Sequence, residues 1–394
     1  MYKSLENSAY SFIFFLLLLT LKQKKMKRTI LFFILSFCFF SIGFAQKFLW
    51  DIDFAFQFDN REYKSDLAKS KTFFGTRLAP EIGVGWDDPK KGTHLLMLGG
   101  DAIFDFGAKK FNVLPELTVY YAYNSAKFNA YAGILPRRKM IGHYSNAFLS
   151  DSIRFYDANM EGLLSQYSDN EIIKNGGGSV EIGIDWNSMY SKEFREKFLI
   201  FSAGHLFYRW FNFGYNFSMY HFAGSEQQKG VVDNILISPY LGFDVTSLVP
   251  LDTLYIKAAY LLAYQFDRRN VQKPIYPQGM QIDVGIEKWG VGIYDAFYYG
   301  KNLMPYFEKY GHGLYWNEDF YRTNHKIYNR LEVYWHPLKR SWLDVKIRSV
   351  HHFEGKSWGW QQLISLNVNV GQKMFGDVKT WRKKRSEKLE VKEE

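Results

Sequence analysis

Cysteine is almost missing from this sequence. Cys38 is the single one in 394 residues, and it lies inside an apolar run close to the N-terminus. Once that run is removed as a leader, disulfides, thiolate nucleophiles and cysteine-bound metals are all excluded. A linker is also missing: no stretch rich in Pro, Gly or Ser interrupts residues 47–375, which argues for one large domain. Mean hydropathy is slightly negative at -0.27, against a helical membrane protein. A basic stripe is lacking too. The formal charge of +10 falls to +5 without residues 1–46, and the tail 376–394 carries seven basic and five acidic residues. The remaining near-neutral body has no footprint for nucleic acid.

Residues 1–46 read as a targeting region. Met26-Lys-Arg precedes the apolar run Ile30 to Phe40, and Gly43 and Ala45 supply the small residues of a cleavage site. Ala9 to Leu21 is too short to span a bilayer comfortably, so the true start is placed at Met26. Phe37 before Cys38 does not fit a lipidation signal.

What is abundant is aromatic and alternating. Phe, Trp and Tyr make up 19% of the chain. Phe48, Trp50, Ile52, Phe54, Phe56 and Phe58 alternate with a face carrying Asp51, Asp53 and Asp59, and Trp358 to Val370 repeats the pattern with Gln362 as the one polar exception. Such period-2 segments recur along the chain, each with one face suited to lipid and one to water. They predict an all-β fold, a transmembrane antiparallel up-and-down β-barrel of about 16 strands, with 14 or 18 as the neighbouring even counts. The third strand is expected after a turn at Asp87 to Gly92, the fourth from Phe111 after a turn at Gly107 to Lys110, and Asn60 to Ser70 as a polar loop. The weak sixth strand, Asn159 to Tyr167, is expected with Met160 and Leu164 outward and Glu161 inward. Keeping it places the long segments Pro136 to Ala158, Arg268 to Gln278 and Gly300 to Lys326 at one end, and short turns at the other.

With its leader, its sixteen or so amphipathic strands and a last strand running through Leu366, Val368 and Val370 to Phe375, the chain resembles a Gram-negative outer-membrane porin-type barrel. The resemblance implies a cell outer-membrane location reached through a cleaved signal. It also implies contact with outer-membrane lipid and lipopolysaccharide, recognition of the closing strand by the barrel assembly machinery, and a monomer or homotrimer. The charged tail 376–394 continues past the usual end and reads as a periplasmic extension.

The inner faces predict a pore lined by Asp51, Asp53, Arg77, Glu81, Asp101, Asp105, Glu116, Glu161, Glu181 and Asp185 on one wall, and by Arg330, Glu332, Lys346 and Arg348 on another. Opposed walls of this kind set a transverse field, and equally they allow the charges to pair and fill the lumen. Tyr306, Tyr310, Tyr315 and Trp316 in the second long loop are a candidate constriction, or else pack the loop on the rim. For catalysis, the histidines His351 and His352, His143 with Ser145, and His312 with His325 sit in no recognisable nucleophile motif. His351 and His352 point to opposite faces and make no joint metal clip. Glu318 and Asp319 are unspecific as metal ligands. The expectation is therefore a channel for passive diffusion of small hydrophilic solutes, with no enzymatic activity, cofactor or metal. The alternative is a plugged barrel with a structural, adhesive or secretion-partner role.

Overall fold

The computed structural model describes residues 47–88, 92–109, 111 and 114–371. The leader 1–46, residues 89–91 of the first short turn, the final residues 372–375 of the expected closing strand and the tail 376–394 lie outside them. Among the described residues there are sixteen strands: β1 Lys47–Tyr63, β2 Lys71–Asp88, β3 Gly92–Asp105, β4 Glu116–Ser125, β5 Phe128–Pro136, β6 Asn159–Ile173, β7 Gly176–Ser188, β8 Lys197–Tyr208, β9 Phe211–Phe222, β10 Val232–Asp244, β11 Thr253–Asp267, β12 Gln278–Lys288, β13 Val291–Gly300, β14 Ile327–Lys339, β15 Leu343–Phe353 and β16 Trp358–Gly371. Each pairs antiparallel with its sequence neighbours, and β1 pairs with β16 to close the barrel.

Closure satisfies every ladder and leaves no edge strand, which a sheet in lipid requires. The register of the seam sets Asp53 opposite Asn369 and Arg61 opposite Gln361. The amides of the last strand therefore meet the acidic row of the first: Asn369 Nδ2 donates to Asp51 at 3.2 Å and Gln361 Nε2 to Asp59 at 2.9 Å. Outward residues such as Ile82, Leu98, Leu241 and Ile282 are exposed apolar side chains, as a lipid-facing surface needs.

Three local expectations are corrected. β4 begins at Glu116, not Phe111: Pro115 lacks an N–H for the ladder, and Phe111 packs on Phe104 instead. β1 runs on to Tyr63 and shortens the first loop, because Asn60 and Glu62 continue the outward face as polar groups hydrogen-bonded to each other. β6 is inverted. Its register puts Leu164 opposite Tyr131 and Met160 opposite Leu135, so these apolar residues face inward and are fully buried, while Glu161 lies on the outer surface. The inversion is favourable because the lumen at this height is filled by apolar loop residues rather than by water. Beside it, Gly133 has φ 128°, and a Cβ there would fall 2.3 Å from the Val119 carbonyl, so only glycine fits.

Candidate functional site

Two long loops, between β5 and β6 and between β13 and β14, turn into the barrel and interlock. Ser150 N–H donates to Trp316 O at 2.8 Å and Glu318 N–H to Asn146 O at 2.9 Å. The first loop carries a short helix, α1 (Asp151–Tyr156), capped by Ser150. Tyr315, Phe320 and Tyr321 are buried together with Leu303, Met304, Ala147 and Phe148, forming an apolar core inside the barrel. Polar wall groups hold this plug: Tyr315 OH donates to Gln265, and Tyr321 OH to Gln281 at 2.7 Å. Of the four candidate constriction aromatics, Tyr315 and Trp316 belong to the packed plug. Tyr306 and Tyr310 are half-buried beside it, with Tyr310 OH on Asp267 at 2.6 Å.

The charges expected along the pore lie on the inner face, Glu161 excepted, and the plug neutralises both walls. Arg138 reaches Glu81 at 3.0 Å and Asp51 at 3.3 Å, Arg137 reaches Asp185 at 2.6 Å, and Tyr156 OH donates to Asp105 at 3.2 Å. Arg77 forms a fork with Asp101 and approaches Asp53, Asn159 donates to Asp101 and Glu116, and Glu181 accepts from the Ile141 N–H at 2.7 Å. On the opposite wall Asp151 of α1 meets Arg330 at 3.2 Å and Arg348 at 3.3 Å, and Glu332 takes Lys346 at 2.7 Å. Burial alone would raise the Asp151 carboxyl; Arg348, Arg330 and Arg154 instead hold it well below the usual range. The first loop therefore bears arginines where it faces the acidic wall and an aspartate where it faces the basic one.

Outside the barrel a different set of polar side chains gathers, at the long-loop ends of β15, β16, β1 and β2. Ser349 and His351 are two apart on β15 and share its outward face, and His351 Nε2 stands 3.1 Å from Ser349 Oγ. The Trp360 indole N–H donates to the same Ser349 Oγ at 2.9 Å. Trp358 stacks on the imidazole, with ring centroids 5.4 Å apart and planes 19° from parallel. Register places Gln362 opposite Ser349, Asn60 opposite Gln362 and Thr72 opposite Asn60, whose amide oxygen accepts from Thr72 Oγ1 at 2.8 Å. The row is polar where the same strands elsewhere present Phe, Ile and Trp to lipid.

The wall behind this patch is rigid. His352, on the inner face, is fully buried, with its Nδ1 2.9 Å from Tyr328 OH and its Nε2 3.1 Å from Gln361. The other histidines do not assemble a nucleophile: His143 lines the lumen, and His312 lies 3.4 Å from Asp319, with His325 at the Gly355 turn. Among the described residues no group of three or more His, Cys, Asp or Glu side chains is arranged to hold a metal.

A family model described as Lipid A 3'-O-deacylase-type matches residues 45–375. The chain belongs to this family. That membership overturns the expectation of a non-catalytic protein, since the family is one of enzymes. No curated protein matches the chain. Solved barrels of similar architecture include a loop L8 deletion mutant of OmpT from Vibrio cholerae, at 12% identity and a TM-score of 0.49 over 82% of this chain and 99% of that one. Another is OmpF of Salmonella typhi, solved in complex with daunomycin, at 9% identity and 0.47 over 82% and 97%. A third is OccK8 (OprE) of Pseudomonas aeruginosa, at 8% and 0.44 over 84% and 99%. Among the described residues the chain forms a closed antiparallel barrel of sixteen strands.

For a member of the deacylase-type family, the outward patch acquires chemical meaning. A serine hydroxyl within hydrogen-bond reach of an imidazole is the minimum for acyl transfer. The sequence held a signal for it: Ser349, His351 and Gln362 interrupt outward rows that are otherwise apolar. No local motif announces it, because the imidazole is oriented by a stacked indole ring rather than by a carboxylate.

Proposed function

We propose that this protein is an outer-membrane ester hydrolase that removes an acyl chain from a lipid A-type glycolipid, with Ser349 as nucleophile and His351 as general base. The observation that carries this reading is the 3.1 Å contact between Ser349 Oγ and His351 Nε2 on the lipid-facing surface. With both chain ends of the barrel toward the periplasm, the long-loop end is the cell-surface end, and Ser349 lies within the outer leaflet, where glycolipid acyl esters run.

In this scheme the Ser349 oxygen attacks the ester carbonyl while His351 takes the hydroxyl proton. The resulting oxyanion collapses, the sugar alcohol leaves with the proton from His351, and the acyl group stays on Ser349. Water, deprotonated by the same imidazole, then attacks the acyl-serine and releases the fatty acid. The Trp360 N–H, 2.9 Å from Ser349 Oγ, and the amide of Gln362, opposite Ser349 in the register, are the donors this reading assigns to the forming oxyanion. Trp358 prevents the imidazole from turning away, and the apolar rows of β14 to β16 offer a bed for the acyl chain.

The test uses the refolded protein in vesicles containing lipopolysaccharide, with released fatty acid read by mass spectrometry. Ser349→Ala and His351→Ala should each lower release by about 10²–10⁴-fold while leaving the barrel's heat-dependent mobility shift on gels intact. Undiminished release from Ser349→Ala would remove this residue as nucleophile. Passive diffusion of small hydrophilic solutes, the other reading of a porin-type barrel, requires the interlocked loops to leave the lumen. Single-channel conductance of the wild-type protein should accordingly be absent or rare.

A further inference from the structure

Below the plug the lumen widens into a cavity of about 890 Å³ that continues to the short-turn end, where Asn212, Asp244 and His336 line it. Its roof is the underside of the first plug loop. Its most heavily charged side joins α1 to β14 and β15, and here the charges do not balance. Among the described residues, Arg154, Arg330, Lys346 and Arg348 make their ion pairs with two carboxylates, Asp151 and Glu332. Asp151 alone takes three guanidinium groups, at 3.2 Å from Arg330, 3.3 Å from Arg348 and 3.9 Å from Arg154. Arg330 Nε and Arg348 Nε are buried without a hydrogen-bond partner, and Arg330 is only 4% exposed. Elsewhere around the cavity the cations have partners of their own, as Lys257 does in Asp283 at 2.7 Å and Arg138 in Glu81.

We propose that this cavity binds a phosphate-bearing small solute that enters from the periplasmic end. An excess of cation is costly unless an anion answers it, and the Lys346 ammonium and the Arg348 and Arg154 guanidinium groups that line the cavity are donors suited to phosphate oxygens. The volume lies in the range of small-molecule sites, about 300–1,000 Å³, and so holds a sugar phosphate rather than a bare ion. The plug closes the opposite side, so the site is loaded and emptied from one end. Nothing in this proposal depends on the outward Ser349 patch, and the two stand or fall separately.

Calorimetric titration of the full refolded chain in detergent micelles, with glucose 6-phosphate, glucose and inorganic phosphate as probes, tests it. Glucose 6-phosphate should bind saturably and glucose should not. Arg348→Gln and Lys346→Gln should each weaken binding at least tenfold, and Asp151→Asn, which removes the competing internal anion, should tighten it several-fold. Inorganic phosphate binding as tightly as the sugar phosphate would support the oxyanion site and assign it to free phosphate. Heat-dependent mobility on gels reports folding; should Arg348→Gln lose it, Lys346→Gln carries the test. Absence of saturable binding by both phosphates, or binding untouched by the folded variants, overturns the proposal.

Discussion

Trp360 makes one hydrogen bond whose consequence is measurable. Its indole N–H meets Ser349 Oγ, so Trp360→Phe keeps the ring and removes only the donor. If that N–H turns to the oxyanion during acyl transfer, kcat should fall by about 10²-fold with KM little changed, as measured on lipopolysaccharide vesicles. Glu318 supplies a second prediction at this scale. Its carboxyl is buried between the two plug loops, and burial pushes it up to about 7, against the pull of Arg61 and with Asp319 and Asp151 adding repulsion. The docked loop therefore holds a proton that the undocked loop releases near its ordinary value of 4.5. Docking is strongest below that value and is weakened as pH rises toward 7, by about 3 kcal/mol once both forms have titrated. Glu318→Gln should remove this dependence. Limited proteolysis of the loop between pH 4 and pH 8 reads it out, and equal protection in wild type and variant across that range would exclude Glu318 as the titrating group.

At the level of elements, the second long loop is both lid and core. Replacing residues 304–322 with a short Gly-Ser linker should take Tyr315, Phe320 and Tyr321 out of the lumen and leave the first loop without its partner. Planar-bilayer recordings should then show open steps where the wild type shows none. A lipid-facing strand position makes the complementary point. Leu98, at the middle of β3, is 49% exposed, and Leu98→Arg should cost about 2–4 kcal/mol in a bilayer, seen as a lower urea midpoint in lipid vesicles. The strands were legible in the sequence because lipid outside and polar groups inside impose alternation, and β1 and β16 show it clearly. The strand β6 was legible but its facing was not: Met160 and Leu164 read as lipid-facing because an apolar residue declares that it avoids water, not which dry place it enters. The plug itself was half visible. Its aromatics were expected either to constrict the mouth or to pack the loop on the rim, but that Arg137, Arg138 and Asp151 answer the two charged walls depends on how the loop folds back. Ser349 and His351 hid for a related reason, since two polar residues on an outward row carry no local motif.

At the scale of the whole molecule, a barrel closed by β1 and β16 and filled by its own loops leaves its outer surface as the place for chemistry on lipids. The outward patch spans the seam: Ser349 and His351 come from β15, Trp358, Trp360 and Gln362 from β16, and Asn60 and Thr72 from β1 and β2. Removing residues 358–371 should abolish acyl release even though Ser349 and His351 remain. A split protein that restores β16 as a separate peptide should recover it, measured by the same fatty-acid assay. In the unfolded chain Ser349, His351, Trp358, Trp360 and Gln362 already lie within fourteen residues of one another, and Asn60 and Thr72 come from the opposite end. On the proposed reading, closing β1 against β16 is the step that adds Asn60 and Thr72 to the polar row and holds it in a finished wall.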